Sequence, residues 1–407
     1  MLSKLLNKKQ TQNVSNAQDF GYLKAQDYYF DSSCQTLRPE SVIEAQKDYF
    51  HNFNACGHRV KYKWGQEVDK KVEECRHNLL KLVKKSPNEY TVYFGLNATS
   101  AINLALHQLP DIFDSVVTSE VEHSSVFLPS ITWAKNRNKQ RKVLSRNSDG
   151  SLNYQDKDLE KSVVIVNSTT NYDGVHLTNA KQLAEDVHRQ GGILILDACQ
   201  TFGHNHQILH EVDFDVVVSS GHKMYGPSLG FGIIKKPLVK QMDTYYIGGS
   251  TITDNDKDNF ELIEEDEELF ARLEPGLQNF AGIVGLNQAI LWKNNFQRNS
   301  QNALEYEKSL ADYLFASLQK IDGLKILNDK PSSVVSVYSD NIESYKLGGF
   351  LGEKGIMCRT GYHCCYYYLK HLKEYPQLLR ISLGLNNNQK DIDYLKENLS
   401  FILKNFA

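Results

Sequence analysis

The sequence predicts an α/β fold, and three observations carry that expectation. Short runs rich in β-branched and aromatic residues recur between residues 90 and 234, as strands do. Helical patterns separate the runs. Several runs are apolar throughout, as strands covered on both faces must be.

In chain order the runs are YTVYF (90 to 94), SVVT (115 to 118), KVLS (142 to 145), VVIVN (163 to 167), ILILD (193 to 197), DVVVS (215 to 219) and GFGII (230 to 234). Ahead of the first, Val68, Val72, Cys75, Leu79 and Val83 keep one face of a helix. Ala101, Ile102, Leu104 and Ala105 begin another helix directly after Asn97, Thr99 and Ser100, residue types that cap helix starts. Beyond about residue 280 the pattern changes. A helix carries Leu310, Leu314 and Leu318, and strands follow in SVVSVY (333 to 338), GIMCRT (355 to 360) and LRIS (379 to 382). A closing helix buries Ile392, Leu395, Leu399 and Ile402. The expected division is an N-terminal arm (1–27), a large domain (28–279) and a smaller C-terminal α+β domain (280–407). Nine acidic residues between 254 and 268 read as a solvated loop or helix face.

Length and composition narrow the function. The chain has 407 residues, 41% of them hydrophobic and 23% charged, enough apolar residues for a deep core and too many for a disordered chain. A net charge of -3 gives no electrostatic case for a nucleic-acid or anionic-membrane partner. No apolar run approaches the roughly 18 to 20 residues that cross a bilayer. The opening MLSKLLNKKQTQ lacks the sustained apolar stretch of a secretory signal. Seven cysteines, an odd number in a long chain, point to a reducing cytoplasm rather than a disulfide-stapled secreted domain. Cys34, Cys56, Cys75 and Cys199 read as small buried thiols. His204 and His206 form HxH and Cys364 and Cys365 are adjacent, but without a paired CxxC or an HExxH no metal site is expected.

Ligands of open α/β sheets sit at the carboxyl ends of the strands, so polar residues just past the apolar runs are the candidates. ILILD ends in Asp197, with Gln200 three residues on; DVVVSS runs into Gly221, His222 and Lys223; VVIVNSTT leads to Asn171 and Gly174. A lysine just past a buried strand is placed for Schiff-base chemistry, and pyridoxal phosphate uses an imine-forming lysine together with an acidic partner for its ring nitrogen. Neither GxxxxGK[ST] nor GxGxxG is present, so nucleotide-phosphate alternatives have no motif.

From about residue 28 to the C-terminus the sequence resembles the fold type I, class V pyridoxal-phosphate enzymes, most closely the group II cysteine desulfurases of the NifS-like and SufS-like kind. The resemblance rests on NATSAINLA (97 to 105), VEHSS (121 to 125), NYDG (171 to 174), DACQTFGH (197 to 204), SSGHKMYGP (219 to 227), RLEPGLQNFAGIVGL (272 to 286), RTGYHC (359 to 364) and LLRISLGLNN (378 to 387), in that order. It implies a large domain with a mostly parallel seven-stranded sheet flanked by helices. It also implies that Lys223 holds the cofactor and moves the substrate's α-proton, that Asp197 pairs with the pyridinium nitrogen and that His123 stacks on the ring. Gln200 and Asn171 would contact the phenolic oxygen or the substrate carboxylate region, and Ala98, Thr99, Ser220 and His222 the phosphate. Cys364 would be the thiol that strips sulfur from L-cysteine, leaving L-alanine and an enzyme persulfide, with Arg359 close by. Arg380 would fork the substrate carboxylate, and His58 and Arg59 resemble a substrate-side loop. A homodimer and a sulfur-acceptor protein are implied as partners, for iron-sulfur cluster or thio-cofactor synthesis.

Two departures bear on this. The family has Gly-Thr where this chain has Gly276 and Leu277, and leucine cannot donate to phosphate; Asn279 is the nearest substitute. Cys365 directly follows Cys364, and on an extended segment only one of two neighbours faces the cofactor. The alternatives are another class V enzyme, a carbon-sulfur lyase or aminotransferase, and a catalytically silent scaffold.

Overall fold

The computed structural model describes residues 19–58 and 60–406. All seven apolar runs are strands of one sheet: β1 (Tyr90–Gly95), β2 (Ser115–Ser119), β3 (Gln140–Leu144), β4 (Ser162–Asn167), β5 (Ile193–Asp197), β6 (Val216–Ser220) and β7 (Gly230–Lys235), in the spatial order β1-β7-β6-β5-β4-β2-β3. Every pairing is parallel except those of β7, which runs antiparallel to both neighbours. The alternation of side chains along a strand explains why these runs had to be apolar throughout. Val163, Ile165, Ile195, Val216 and Val218 enter one core. Val164, Val166, Leu194, Leu196 and Val217 enter the other, on the opposite face. Each fully buried aliphatic side chain contributes about 1.5–3 kcal/mol, so a polar residue on either face would weaken the sheet.

Helices cover both faces. The helices α3 (Ala98–His107) and α4 (Ser124–Arg137) bury Ala101, Ile102, Ala105, Val126 and Trp133 against the first face. On the other face lie α1 (Glu40–Asn52), through Tyr49, α2 (Lys63–Leu82), α5 (Ala180–Arg189) and α6 (Phe280–Asn294). The smaller layer is a four-stranded antiparallel sheet of β8 (Lys325–Ile326), β9 (Val334–Tyr338), β10 (Arg359–Gly361) and β11 (Leu378–Ser382), ordered β8-β9-β11-β10. Helices α7 (Ala303–Leu318), α8 (Ser344–Gly352) and α9 (Gln389–Phe406) pack on it.

Packing crosses the expected boundaries. Phe280, Ala281, Ile283, Val284, Leu286 and Ile290 of α6 share a core with the large sheet, while Ala289 of the same helix enters the core of the small one. Phe20, Phe30 and Val42 lie instead in the core of the small sheet, and Tyr28–Tyr29 pairs with Ile356–Met357. The first 18 residues of the expected arm lie outside the described residues. Periodicity shows that a helix has a buried face but not which sheet that face meets. The GIMCRT strand is likewise two short strands with different partners, Ile356–Met357 and β10. Most of the acidic run forms or follows an exposed hairpin of Ile252–Asn255 with Phe260–Leu262. Among the described residues no helix is long and apolar enough to cross a membrane.

Parallel pairing aligns Asn167 with Asp197 and Asp197 with Val218, so the carboxyl ends of β4, β5 and β6 share one edge. Gly230 of β7 keeps α3 at that edge: a Cβ there would lie 2.2 Å from the Asn97 carbonyl carbon, and Asn97 is the residue whose side chain caps α3 by accepting from the Ser100 N–H at 2.9 Å. A Gly230→Ala variant is expected to lose about 1–3 kcal/mol of stability by overpacking, read from the urea midpoint.

Candidate active site

The carboxyl edge of the sheet opens into a cavity of about 200 Å³. Asp197 ends β5 and is buried, and its Oδ1 accepts from the Cys199 N–H at 3.0 Å. Gln200, in the short helix Cys199–Gly203, donates its amide N–H to the Ser33 carbonyl at 2.9 Å and leaves Oε1 without a partner. Lys223 follows β6 in a single turn of 3-10 helix, Gly221–Lys223. That turn is held from two sides. Thr36 donates to the His222 carbonyl through N–H (2.8 Å) and Oγ1 (3.1 Å), and its Oγ1 accepts from the Tyr225 N–H at 2.6 Å. Gly203 backs directly onto the turn, since a Cβ there would sit 2.3 Å from the Lys223 carbonyl oxygen. Lys223 itself lines the cavity with Asp197 and Gln200.

One wall is the amino-terminus of α3, whose dipole favours an anion. Ala98 N–H donates to Ser220 Oγ at 3.3 Å, and the Thr99 and Ser125 hydroxyls meet at 2.6 Å. The amino-terminus of α4 supplies His123. Its Nδ1 accepts from the Ser125 N–H at 3.0 Å, which leaves the ring proton on Nε2. Burial and then the nearby Lys223 push its pKa down to about 4. Burial, reinforced by Lys223, does the same to His222, also to about 4; its Nδ1 has no partner.

The small sheet supplies the remaining wall. Arg380 is buried, donating through Nη1 to the Asn171 carbonyl (2.9 Å) and through Nη2 to Asp31 (3.1 Å), with Nε unpartnered. Arg359 faces Arg380 in register across β10 and β11, and its guanidinium contacts Cys34 Sγ. Asn171 donates to the His363 carbonyl at 2.6 Å, and Ser124 donates through N–H (2.8 Å) and Oγ (2.9 Å) to the Cys364 carbonyl. The segment carrying Cys364 is a turn with His363 and Cys364 at φ 47° and 59°, not the extended segment expected. Cys364 lines the cavity, half-buried, whereas Cys365 is buried among Val121, Tyr172, Leu369 and Leu378. His363 also lines the cavity, with neither ring nitrogen partnered. Burial, followed by Arg380 and Arg359, pushes it down to about 2.

The cavity thus brings together every residue named from the sequence for catalysis or cofactor, and all of those named for substrate except His58. His58 is exposed outside it, its ring 5.6 Å from that of Phe270 and its N–H donating to Asp69 at 2.7 Å. Arg59 lies outside the described residues. Leu277 is 75% exposed and Asn279 uses its side chain to cap α6, accepting from the Gly282 N–H at 2.9 Å; neither lines the cavity. His204 pairs with Glu307, and no cluster of three metal-ligating side chains occurs among the described residues. The thiols divide where burial was expected of all four: Cys75 and Cys199 are buried, Cys56 is exposed, and Cys34 is half-buried in the cavity wall. Asp31, Ser33, Cys34 and Thr36 were missed because FDSSCQTLRP (30 to 39) reads as a polar loop with no periodicity.

A doubly covered, mostly parallel sheet with a lysine-bearing cavity at its carboxyl edge places the molecule in the fold type I class. The chain belongs to the aminotransferase class-V family, whose model matches residues 28–395. It is 26% identical over 400 residues to a probable cysteine desulfurase of Borreliella burgdorferi, covering 93% of this chain and 92% of that protein. It is 28% identical to a cysteine desulfurase of Serratia proteamaculans, covering 92% and 93%. Among solved structures, a cysteine desulfurase of Thermococcus onnurineus matches with a TM-score of 0.85 at 23% identity, over 97% of this chain and 99% of that one. An Escherichia coli cysteine desulfurase matches at 0.82 and 24%, over 96% and 97%.

The neutral histidines set a pH dependence. A histidine depressed below its unfolded pKa of about 6.5 binds its proton more readily when the chain unfolds, so its contribution is present above pH 6.5 and lost as pH falls. The cofactor-free protein is expected to lose stability between about pH 6.5 and 4, with His363 alone giving a slope of about 1.4 kcal/mol per pH unit. Urea unfolding at several pH values should show a shallower slope in His363→Gln.

Proposed function

We propose that this chain is a pyridoxal-phosphate-dependent cysteine desulfurase, converting L-cysteine to L-alanine and leaving the sulfur as a persulfide on Cys364. The observation that carries the reading is the meeting of Lys223, Asp197, Arg380 and Cys364 in one cavity. The donor set fits the cofactor: a lysine amine, a buried carboxylate and a helix amino-terminus line the same space, and Gln200 Oε1 and His222 Nδ1 are buried there without partners. When bound, pyridoxal phosphate supplies an aldehyde that captures amines and a ring that takes up the electron pair released at the substrate's α-carbon.

The chain's own residues do the rest. Lys223 would hold the cofactor and move the substrate's α-proton. Asp197 would keep the ring nitrogen protonated through a charge-assisted hydrogen bond. Ala98, Thr99, Ser220 and His222 would take the phosphate, His123 would cover the ring, and Gln200 and Asn171 would orient the phenolic oxygen and the substrate. Arg380 takes the substrate carboxylate on its planar fork; with Asp31 and Asn171 fixing two of its five N–H donors, it is oriented before substrate arrives. Arg359 lies beside it. Cys364 accepts the sulfur, and its backbone, pinned by Ser124, fixes where the thiol starts. The uncharged His363 can hydrogen-bond to a sulfur anion but adds no fixed charge. His58 and Arg59 would serve a substrate-side loop. The working unit is a cytoplasmic homodimer that passes persulfide to an acceptor protein for iron-sulfur cluster or thio-cofactor synthesis.

Product analysis with L-cysteine tests this. Alanine and a protein persulfide are expected from the holoenzyme, and Cys364→Ala should lower alanine formation by about 100-fold or more while keeping the cofactor's absorbance. Pyruvate and ammonia would instead identify a β-eliminating lyase. Arg380→Lys loses the bidentate fork and should raise KM for L-cysteine by about tenfold or more.

A further inference from the structure

Two cavity thiols are candidates for sulfur chemistry, and the reading above uses only one. Cys34 and Cys364 line the same cavity of about 200 Å³ from opposite ends of the chain, and both are half-buried. Cys34 is held in place on each side. The Ser33 N–H donates to Ser382 Oγ at 2.9 Å and the Ser33 carbonyl accepts from Gln200, while Thr36 is bonded to the turn that carries Lys223. Its sulfur touches the Arg359 guanidinium, the cationic surrounding in which nucleophilic cysteines are found. Between the two thiols the same cavity is lined by Arg359, which pairs in strand register with Arg380, by Arg380, which bonds Asn171, and by Asn171, which bonds the carbonyl of His363, the neighbour of Cys364.

A second observation points into the same space. The His363 side chain is 6% exposed and lines the cavity with neither ring nitrogen partnered, so its N–H is free to donate to a sulfur anion there. Cys199, the third cysteine of the wall, is unsuitable, because burial holds its thiol far above the usual range.

We propose that Cys34 is a second sulfur-carrying residue that takes the sulfane sulfur from the Cys364 persulfide. The inference rests on the desulfurase reading. The Cys34 thiolate attacks the terminal sulfur of the persulfide; a bond forms between Cys34 Sγ and that sulfur, the bond to Cys364 Sγ breaks, and Cys364 departs with the electron pair as a thiolate. The terminal proton stays with the sulfur in flight, one anion is present before and after, and no oxidant or reductant is needed. Cys364 is thereby freed for a further turnover inside the same cavity.

The experiment gives the holoenzyme L-cysteine without any reductant or acceptor, counts alanine per chain before stalling, and maps sulfane sulfur by alkylation and peptide mass spectrometry. Sulfane sulfur is expected on both Cys34 and Cys364 in the unaltered protein. In Cys34→Ser the alanine yield before stalling should fall about twofold, with sulfur on Cys364 alone. Sulfur confined to Cys364 in the unaltered protein overturns this inference and leaves the desulfurase reading standing; because it is read on the unaltered chain, it holds even where Cys34→Ser fails to fold. Absence of both alanine and persulfide overturns the two together.

Discussion

The Arg380 guanidinium is the contact on which the site depends. It sits at 3% exposure between three parts of the chain: the small sheet that carries it, the Asn171 carbonyl beyond β4, and Asp31 of the segment that precedes the first helix. A buried cation is costly unless paired and hydrogen-bonded, so the small sheet docks on the large one in an arrangement that brings Asp31 and Asn171 together. That same arrangement closes the cavity. The closing of the cavity and the seating of the two sheets are therefore one interaction, which leaves Nε of the guanidinium without a partner.

Around this clasp, charge is handled by keeping the histidines neutral. His123, His222 and His363 line a cavity that also holds Lys223, Arg359 and Arg380, and burial together with these cations depresses all three imidazoles. Their ring nitrogens remain able to donate and accept without adding to the positive charge. The scaffold beneath is rigid at the points that matter: Gly203 and Thr36 hold the Lys223 turn from two sides, and the capped start of α3 is pressed against Gly230. A cavity lined by pinned backbone keeps its donors where a ligand must meet them.

Much of this was legible in the residues. The seven strands were marked by short β-rich runs, several of them apolar throughout because the middle of the sheet is covered on both faces. Asp197, Gln200 and Lys223 were marked by their position just after such runs, since parallel strands leave their carboxyl ends on one edge. The motif from Arg359 to Cys364 pointed to a thiol through its resemblance to the family, and that thiol lines the cavity. Asp31 and Thr36 carried no such mark. Each acts through a contact with a residue far along the chain, Arg380 and His222, and a loop without periodicity gives no hint of its partner. His58, named from a motif-like loop, does not line the cavity, and its position relative to the site was not written in the loop.

Sequence alone thus indicated the kind of fold and its strands, because apolar pattern is local, and it gathered the candidate residues from strand-end position and from the resemblance to a known family. Packing settled the rest. It placed most of α6 with the large sheet and Phe20, Phe30 and Val42 in the core of the small one, turned Cys364 toward the cavity and Cys365 away from it, and put Cys34 beside Arg359. Those outcomes depend on which buried faces meet, and segments hundreds of residues apart can be matched only when the chain folds them against each other.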